Sequence, residues 1–186
     1  DGWTDRRMIG FYETYVRVLF GRYGHRVKYW LTFNEINSVL HAPLMSGGIW
    51  TPKDQLSPSQ LWQACHHELV ASASATRIAR EMVPDAKIGC MVIAMPTYAL
   101  TPDPDDQIAV MNADHFNDFF TDIHARGVYP KYLDRYFAER GIEIDITQED
   151  REILRNTVDF VSFSYYMSIC ETADPEKREL GQGNIM

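Results

Sequence analysis

Hydrophobic residues recur along this chain with two spacings, and these spacings alternate from one end to the other. Helical spacing predicts helices over 5–22, 59–83, 107–126 and a shorter stretch that opens at Pro130. Short continuous apolar runs predict buried strands over 28–35, 88–94 and 158–166. Strands that alternate with long helices predict βαβ units and a parallel sheet.

Small polar residues mark several predicted helix starts. Thr4 is predicted to cap the first helix, and Ser57 with Pro58 to open the second. The stretch Thr147–Asp150 is typical of a capping box and predicts one further short helix. These signals place the boundaries of the helices that flank each predicted strand.

The segments after the strands are predicted to be long loops, over 36–57 and 95–106, with a polar tail over 173–186. In a (β/α)8 barrel such loops lie on the face where active sites are built. A doubly wound open sheet is the alternative, but no Gly-rich phosphate-binding turn follows any predicted strand. Residues 1–186 contain no repeat or linker, so we predict a single unit without an internal boundary.

Composition and charge narrow the class of partner. The 186 residues include 18 Lys or Arg and 26 Asp or Glu, and the formal net charge is -8. This balance argues against nucleic acid or an anionic membrane as the main partner. No apolar run approaches ~20 residues, so no membrane-spanning helix is predicted. The three scattered cysteines are typical of reduced thiols, and we therefore expect a cytoplasmic protein.

The most informative chemistry lies at the end of the first predicted strand. A parallel strand that ends in Asn34-Glu35 delivers an amide and a carboxyl group to the C-terminal edge of the sheet. Rings such as Trp30 and Phe33 would shield that carboxyl group from water. A carboxyl group kept protonated in this way can donate its proton to a leaving glycosidic oxygen. From the spacing alone, a surface carboxylate beside a turn-forming Asn34 remains the simpler interpretation.

Two longer motifs change that interpretation. Val27–Asn37 (VKYWLTFNEIN) closely resembles the acid/base strand of family 1 glycoside hydrolases, and Asp159–Ser168 (DFVSFSYYMS) resembles a later strand motif of that family. Gly2-Trp3 and the Tyr23-Gly24 turn extend the likeness upstream, so that it covers essentially the whole chain. The resemblance implies a TIM (β/α)8 barrel, of which this chain holds roughly strands four to six and their helices.

The resemblance also implies roles for individual residues in a retaining hydrolysis of β-glucosidic bonds that needs no cofactor and no metal. Glu35 would be the general acid/base, and Asn34 would contact the sugar 2-hydroxyl. Tyr166 would hydrogen-bond the nucleophilic carboxylate and orient it. Ser164 stands where the family has an asparagine, and its shorter hydroxyl cannot span the same gap, which leaves that contact open.

The residues around these motifs resemble one branch of the family. Ile36-Asn37 after the glutamate and the variant Phe163–Ser168 are similar to 6-phospho-β-glucosidases, whose substrates are phosphorylated on O6 during uptake. The expected partner is therefore a small phosphorylated β-glycoside. A β-glucosidase for plain substrates and a 6-phospho-β-galactosidase are the alternatives with the same chemistry.

A retaining glycosidase needs a second carboxyl group about 5–5.5 Å from the first. The Thr-Glu-Asn-Gly type of motif that carries the nucleophile in the family does not occur in these 186 residues. We therefore expect an internal segment of a longer barrel, inactive by itself. A non-catalytic half-barrel remnant or a carbohydrate-binding module is the alternative from another class of protein.

Other polar clusters favour structural interpretations. Adjacent helix positions point about 100° apart, so His66 and His67 cannot chelate one ion. Together with Glu68 they are therefore predicted to be polar residues on a helix surface. The acidic residues of the second long loop are predicted to be solvated or to sit at a helix start. They are Asp103, Asp105 and Asp106.

Three aromatic residues near the predicted site also favour structural interpretations. His41 follows the Glu35 strand and is expected to be a solvated loop residue rather than a substrate contact. Trp50 and Trp62 are expected in the core rather than as platforms for a sugar ring. The charged run 174–179 is expected to be a solvated turn.

Overall fold

A computed structural model of the chain describes residues 1–177, and the elements alternate as the sequence predicts. The helices are α1 (Arg7–Tyr23), α2 (Pro43–Gly47), α3 (Pro58–Met82), α4 (Pro104–Arg126), α5 (Tyr132–Arg140) and α6 (Gln148–Leu154). The strands are β1 (Tyr29–Leu31), β2 (Lys87–Ala94), β3 (Thr97–Ala99), β4 (Phe160–Tyr165) and β5 (Ile169–Glu171).

The main sheet is parallel, with the strand order β1-β2-β4. Tyr29 of β1 pairs with Lys87 of β2, and Cys90 of β2 pairs with Val161 of β4. The short strands β3 and β5 form a separate parallel pair beyond the C-terminal ends of β2 and β4. The sheet therefore places the C-terminal ends of three consecutive strands along one edge, as in a barrel.

The helices cover one face of this sheet. Ile88 of β2 packs with Phe20 of α1 and Ile78 of α3, and farther along the strand Val92 packs in a cluster that includes Phe119 of α4. All five side chains are buried. Burial of large apolar side chains contributes roughly 1.5–3 kcal/mol each, so these two clusters fix α1, α3 and α4 against the strands.

Strand β4 leaves apolar side chains open to solvent. Val161 is 46% exposed and Phe163 is 65% exposed, although they pair with the buried Cys90 and Val92. Neighbouring residues of parallel strands point to the same side of a sheet, so these side chains continue the helix-covered face of β2. Within residues 1–177 no helix covers β4 on that face, so the sheet is open to solvent along this strand.

The opposite face of the sheet is also apolar and is crowded at one point. Tyr29 is 65% exposed there, and its ring lies edge-on to Phe160, 6.1 Å between centroids. Gly89 lies between them on β2, where any Cβ atom would collide with the Phe160 ring. A glycine is therefore required for this ring to lie flat against the strand.

Two of the predicted helix starts are confirmed and one is wrong. Ser57 caps α3 through a capping box with Gln60, and Thr147 caps α6 through one with Asp150. Thr4 does not cap α1, because it lies in a 3-10 turn over Gly2–Thr4 and its hydroxyl donates to the Asp1 carbonyl at 2.7 Å. The helix begins three residues later, at Arg7.

The predicted long loops contain regular structure. The segment 36–57 holds α2 and two 3-10 helices, over Ile36–Leu40 and Lys53–Gln55, and the segment 95–106 holds β3 and the start of α4. These elements are too short to produce a periodic pattern, so the prediction of loops was wrong there.

Residues 178–186 of the predicted tail lie outside the described residues. Within residues 1–177 no helix is both long enough and apolar enough to cross a membrane.

Candidate active site

Strand β1 stops pairing before it reaches its polar end. The ladder to β2 ends around Leu31 and Thr32, and the backbone then bends towards the 3-10 helix that begins at Ile36. Glu35 adopts the left-handed conformation, with φ 48° and ψ 52°. Within residues 1–177 it is the only residue other than glycine with a positive φ. Such a conformation costs on the order of 1–3 kcal/mol and persists only where the surroundings enforce it.

The side chain of Glu35 meets Tyr166 over the sheet edge. The Tyr166 hydroxyl donates to Oε1 of Glu35 at 2.5 Å, a short hydrogen bond. The two residues are 131 positions apart in sequence and follow the ends of β1 and β4, which flank β2. Glu35 is half-buried and Tyr166 is 64% exposed, so the pair lies at an accessible surface.

The other two predicted site residues lie near this pair without a described contact to it. Asn34 is exposed, immediately before Glu35, and Ser164 is half-buried on β4, two residues before Tyr166. The structure therefore brings Glu35 and Tyr166 together and places Asn34 and Ser164 along the same two strand ends. Tyr166 was predicted to contact a nucleophile, and its described partner is Glu35; the roles of all four residues remain predictions.

The rings that were expected to shield Glu35 pack towards the helices. Trp30 lies edge-on to Phe20, with 5.0 Å between centroids, and Phe33 stacks on Tyr12 at 4.8 Å. Both contacts tie β1 and its end to α1. The described contacts of these rings thus hold the strand in place.

Sequence reasoning missed the residue that anchors the bend. Asn37 is 1% exposed, and its side-chain amide bonds to both backbone groups of Ile93 on β2, at 2.9 Å and 2.8 Å. The available signal was an amide residue between the apolar Ile36 and Val39, which marks a polar group inside a core. Buried amides are retained where their hydrogen bonds are satisfied.

The prediction that His66, His67 and Glu68 lie on a surface is wrong. They are 0%, 3% and 1% exposed, because α3 packs against neighbours on most of its circumference. His66 contacts Asp150 through Nε2 at 3.2 Å, whereas Nδ1 of His67 lies 2.8 Å from the Trp3 carbonyl. The two rings therefore serve different partners, and within residues 1–177 no three metal-binding side chains are grouped around a common point.

The aromatic residues near the site divide between surface and core. His41 is exposed, as predicted for a loop residue. Trp62 is 4% exposed and belongs to the core, which confirms that prediction. Trp50 is 78% exposed, so its assignment to the core is wrong. The Asp1 carboxylate accepts from the Trp50 backbone N–H at 3.0 Å and fixes this segment at the surface.

The acidic loop residues have more specific roles than solvation. Asp103 caps α4 by accepting from the Asp105 N–H at 2.9 Å, as predicted for a helix start. Asp106 lies in the first turn of α4, as predicted for a helix start, but it is buried rather than solvated. Hydrogen bonds from Thr101, from the Ala173 backbone and from Thr172 lower the pKa of Asp106 to about 2. This carboxylate ties the start of α4 to the segment after β5.

The remaining sequence predictions concern the cysteines and the charged run. Cys65 and Cys90 are buried free thiols, and Cys170 is a half-buried one, which agrees with reduced cysteines. Asp174 pairs with Lys177 at 2.9 Å, as expected for an exposed turn. Residues 178–179 of the run lie outside the described residues.

A parallel sheet with helices on one face and a Glu–Tyr pair over its C-terminal edge defines the active-site side of an incomplete α/β barrel. Comparison with known proteins identifies the family to which this barrel belongs. A profile described as "Glycosyl hydrolase family 1" matches residues 1–184, and the chain belongs to this family. The resemblance inferred from the two strand motifs is thereby confirmed.

Relatives with curated names are similar over the full chain. A "6-phospho-beta-glucosidase" of Clostridium longisporum is 59% identical over 186 residues, and the "Aryl-phospho-beta-D-glucosidase BglH" of Bacillus subtilis (strain 168) is 46% identical. The match covers 100% of this chain in both cases, but 39% and 40% of those proteins. The chain thus spans about two fifths of the length of these relatives.

Solved structures confirm the fold class. A β-glucosidase from Thermotoga maritima in complex with glucoimidazole superposes with a TM-score of 0.79 at 28% identity, and the match covers 95% of this chain and 40% of that one. Together with the family membership, this identifies the sheet as part of a TIM (β/α)8 barrel.

Proposed function

We propose that the protein that carries this chain hydrolyses β-glucosidic bonds with retention, and that its substrates are 6-phospho-β-glucosides. The observation that carries the proposal is the contact between Glu35 and Tyr166, which joins two distant motifs at the C-terminal edge of the sheet. Family membership supports the reaction class, and the names of the relatives support the phosphorylated substrate.

In this proposal Glu35 acts twice. It first donates its proton to the glycosidic oxygen while a second carboxylate, outside this chain, attacks the anomeric carbon. It then removes a proton from the water that cleaves the glycosyl-enzyme. Tyr166 holds one oxygen of Glu35, and Asn34 is assigned to the sugar 2-hydroxyl. The contact made by Ser164 stays open.

The phosphorylated substrate is tested by comparing three aryl glycosides with the full-length protein. We expect the 6-phospho-β-glucoside to be hydrolysed with a kcat/KM at least ~10²-fold above that of the plain β-glucoside. A site that hydrogen-bonds a phosphate leaves its own polar groups unpaired when the substrate lacks that phosphate. The 6-phospho-β-galactoside tests whether the enzyme prefers glucose to galactose as the phosphorylated sugar. A preference for the plain β-glucoside would contradict the branch and keep the reaction class.

A cytoplasmic location follows from the same proposal. A sugar phosphate is charged and does not cross a bilayer unaided, so an enzyme that uses it works in the compartment where the phosphate was added. The buried Cys65 and Cys90 are not joined in a disulfide, which agrees with this location.

The acid/base role of Glu35 is tested by Glu35→Gln in the full-length protein. Glutamine cannot donate a proton, so turnover of a substrate with a poor leaving group should fall by about 10²–10⁴-fold. The first step with a dinitrophenyl leaving group needs little protonation and should be affected far less. The exposed Glu149 provides a matched control through Glu149→Gln. Equal losses of kcat/KM, which reports the first step alone, with both substrates would contradict the acid role.

A further inference from the structure

The backbone of β2 continues past the point where β1 leaves it. Continuing the register of Tyr29 with Lys87 and Leu31 with Gly89 would bring Glu35 opposite Ile93. Glu35 does not occupy that place in the ladder, because its left-handed conformation turns the chain away from the strand. The N–H and C=O of Ile93 on that side would therefore lack the partner that a continued β1 would supply.

The side chain of Asn37 supplies both missing bonds. Its Nδ2 donates to the Ile93 carbonyl at 2.9 Å, and its Oδ1 accepts from the Ile93 N–H at 2.8 Å. In the register where the Lys87 N–H donates to the Lys28 carbonyl and the Thr32 N–H to the Gly89 carbonyl, a continued ladder would use the backbone of residues 34 and 36. A side-chain amide has the same donor and acceptor as a peptide group, so it substitutes for the residue 34 carbonyl and the residue 36 N–H. At 1% exposure, water cannot take its place.

The short segment between Glu35 and Asn37 is also closed by a local bond. The Ser38 N–H donates to the Glu35 carbonyl at 2.8 Å, and the Ser38 hydroxyl lies 2.6 Å from that of Ser46 on α2. Residues 35–38 thus form one turn whose fixed point on the sheet is Asn37. The direction in which the Glu35 side chain leaves the backbone depends on that point.

We propose that Asn37 is a positioning residue that acts through Glu35: its amide replaces the strand ladder, releases residue 35 into the left-handed conformation and thereby aims the carboxyl group at the reacting oxygen. The inference rests on the proposed acid/base role of Glu35. Asn37 itself contacts the backbone of β2 and not the substrate.

Two variants of the full-length protein test this role. Asn37→Asp keeps the acceptor for the Ile93 N–H but places a second oxygen against the Ile93 carbonyl, and Asn37→Leu removes both bonds at similar size. Asn156→Asp is a matched control, because that amide donates to the Ile153 carbonyl three residues away and has no described link to Glu35.

The readout is kcat/KM for a poor and for a dinitrophenyl leaving group. A misplaced general acid should cost about 10²-fold with the poor leaving group in Asn37→Leu, less in Asn37→Asp, and under ~3-fold with dinitrophenyl as leaving group in the first step. With the poor leaving group, whose first step limits turnover, KM should stay within ~3-fold, since the substrate contacts are unchanged. Azide needs no general base, so it should restore turnover of the dinitrophenyl substrate where deglycosylation has become slow.

The outcomes separate this proposal from the proposed function. Wild-type kinetics in both Asn37 variants, with a leaving-group-dependent loss in Glu35→Gln, would overturn the positioning role alone. Equal losses with both substrates, or a loss that Asn156→Asp shares, would mark Asn37 as structural only. If Glu35→Gln shows no leaving-group dependence, both proposals fall. Should Asn37→Leu not fold, Asn37→Asp decides, with thermal unfolding as the check of folding.

Discussion

At the scale of single residues, one hydroxyl group determines how the Glu35 carboxyl group is held. Tyr166 donates to Oε1 and leaves the remaining lone pairs of the carboxylate for substrate or water. A hydrogen bond to a charged group contributes about 1.5–3 kcal/mol in a protein interior, and the exposure of Tyr166 places this contact at the lower end.

We expect Tyr166→Phe in the full-length protein to lower kcat/KM by about 10-fold, because 1.4 kcal/mol corresponds to a factor of ten. The loss arises from a less well oriented Glu35. Steady-state kinetics on an aryl 6-phospho-β-glucoside measure it. The neighbouring Tyr165→Phe is the control, since that hydroxyl pairs with Ser168 at 3.0 Å. An unchanged rate for Tyr166→Phe would remove this residue from the site.

The two residues that meet at this site could be singled out from sequence, but their geometry could not. The motifs around Glu35 and Tyr166 identified both residues, because the family resemblance is specific at these positions. The left-handed conformation of Glu35 left no trace in the pattern, since glutamate gives no local signal for positive φ. The role of Asn37 depends on Ile93, 56 residues away, and contacts over such distances are set by tertiary packing.

At the scale of elements, a chain of buried polar groups joins β1 to two helices. Nδ1 of His124 donates to the Phe120 carbonyl at 2.6 Å, so the neutral ring accepts from Ser72 through Nε2, 3.0 Å away. The Thr32 hydroxyl then donates to Ser72 at 2.7 Å. Three elements, the end of β1, α3 and α4, are thus linked three residues before Glu35.

This chain of groups makes stability depend on pH. Burial lowers the pKa of His124 from 6.5 to about 4, against the hydrogen bond to Phe120, which raises it. His124 is therefore neutral in the folded protein while the unfolded chain takes up a proton below about pH 6.5. The free energy of unfolding should fall by up to about 3 kcal/mol between pH 6.5 and pH 4, at about 1.36 kcal/mol per pKa unit.

His124→Gln should flatten that pH dependence and also lower stability near pH 7 by about 1–3 kcal/mol, since the bonds to Ser72 and Phe120 are disturbed. Urea unfolding of the full-length protein at pH 7.5, 6 and 5 measures both effects. The exposed His25 serves as the control through His25→Gln. An equal slope with pH in wild type and His124→Gln would contradict the assignment.

Element positions were predictable where caps or long periodic runs define them. Ser57 and Pro58 marked the start of α3 correctly, and Gly127 and Gly141 end α4 and α5 in the left-handed conformation that favours glycine. The burial of His66 was missed, because periodicity reports one apolar face whereas α3 is enclosed by neighbours on several sides. Polar residues inside such a helix are satisfied by distant partners that the local pattern does not contain.

At the scale of the whole molecule, the sheet exposes apolar surface along both outer strands. Tyr29 and Leu31 of β1 are exposed, as are Val161, Phe163 and Tyr165 of β4. Strand edges with exposed apolar side chains promote association with other chains. These outer strands are where the rest of a barrel would pair and pack, which agrees with a match to about two fifths of the length of the relatives.

We expect the 186-residue segment, purified alone, to show no turnover of an aryl β-glucoside or its 6-phosphate, because one of the two required carboxyl groups is missing. Its exposed strands should also make it self-associate, which size-exclusion chromatography with light scattering measures. Adding the remaining strands of the barrel in one chain should restore hydrolysis. Robust turnover by the segment alone would show that a second carboxyl group lies within it.

The pairing of Asn37 with Ile93 also has a consequence for protein engineering. Active-site loops of barrel enzymes are often exchanged between relatives as if each were an independent module. Here the loop after β1 is fastened to the adjacent strand by a side chain. A loop transplanted without a matching amide at position 37 would therefore arrive with its glutamate misdirected, however well the rest of the graft fits.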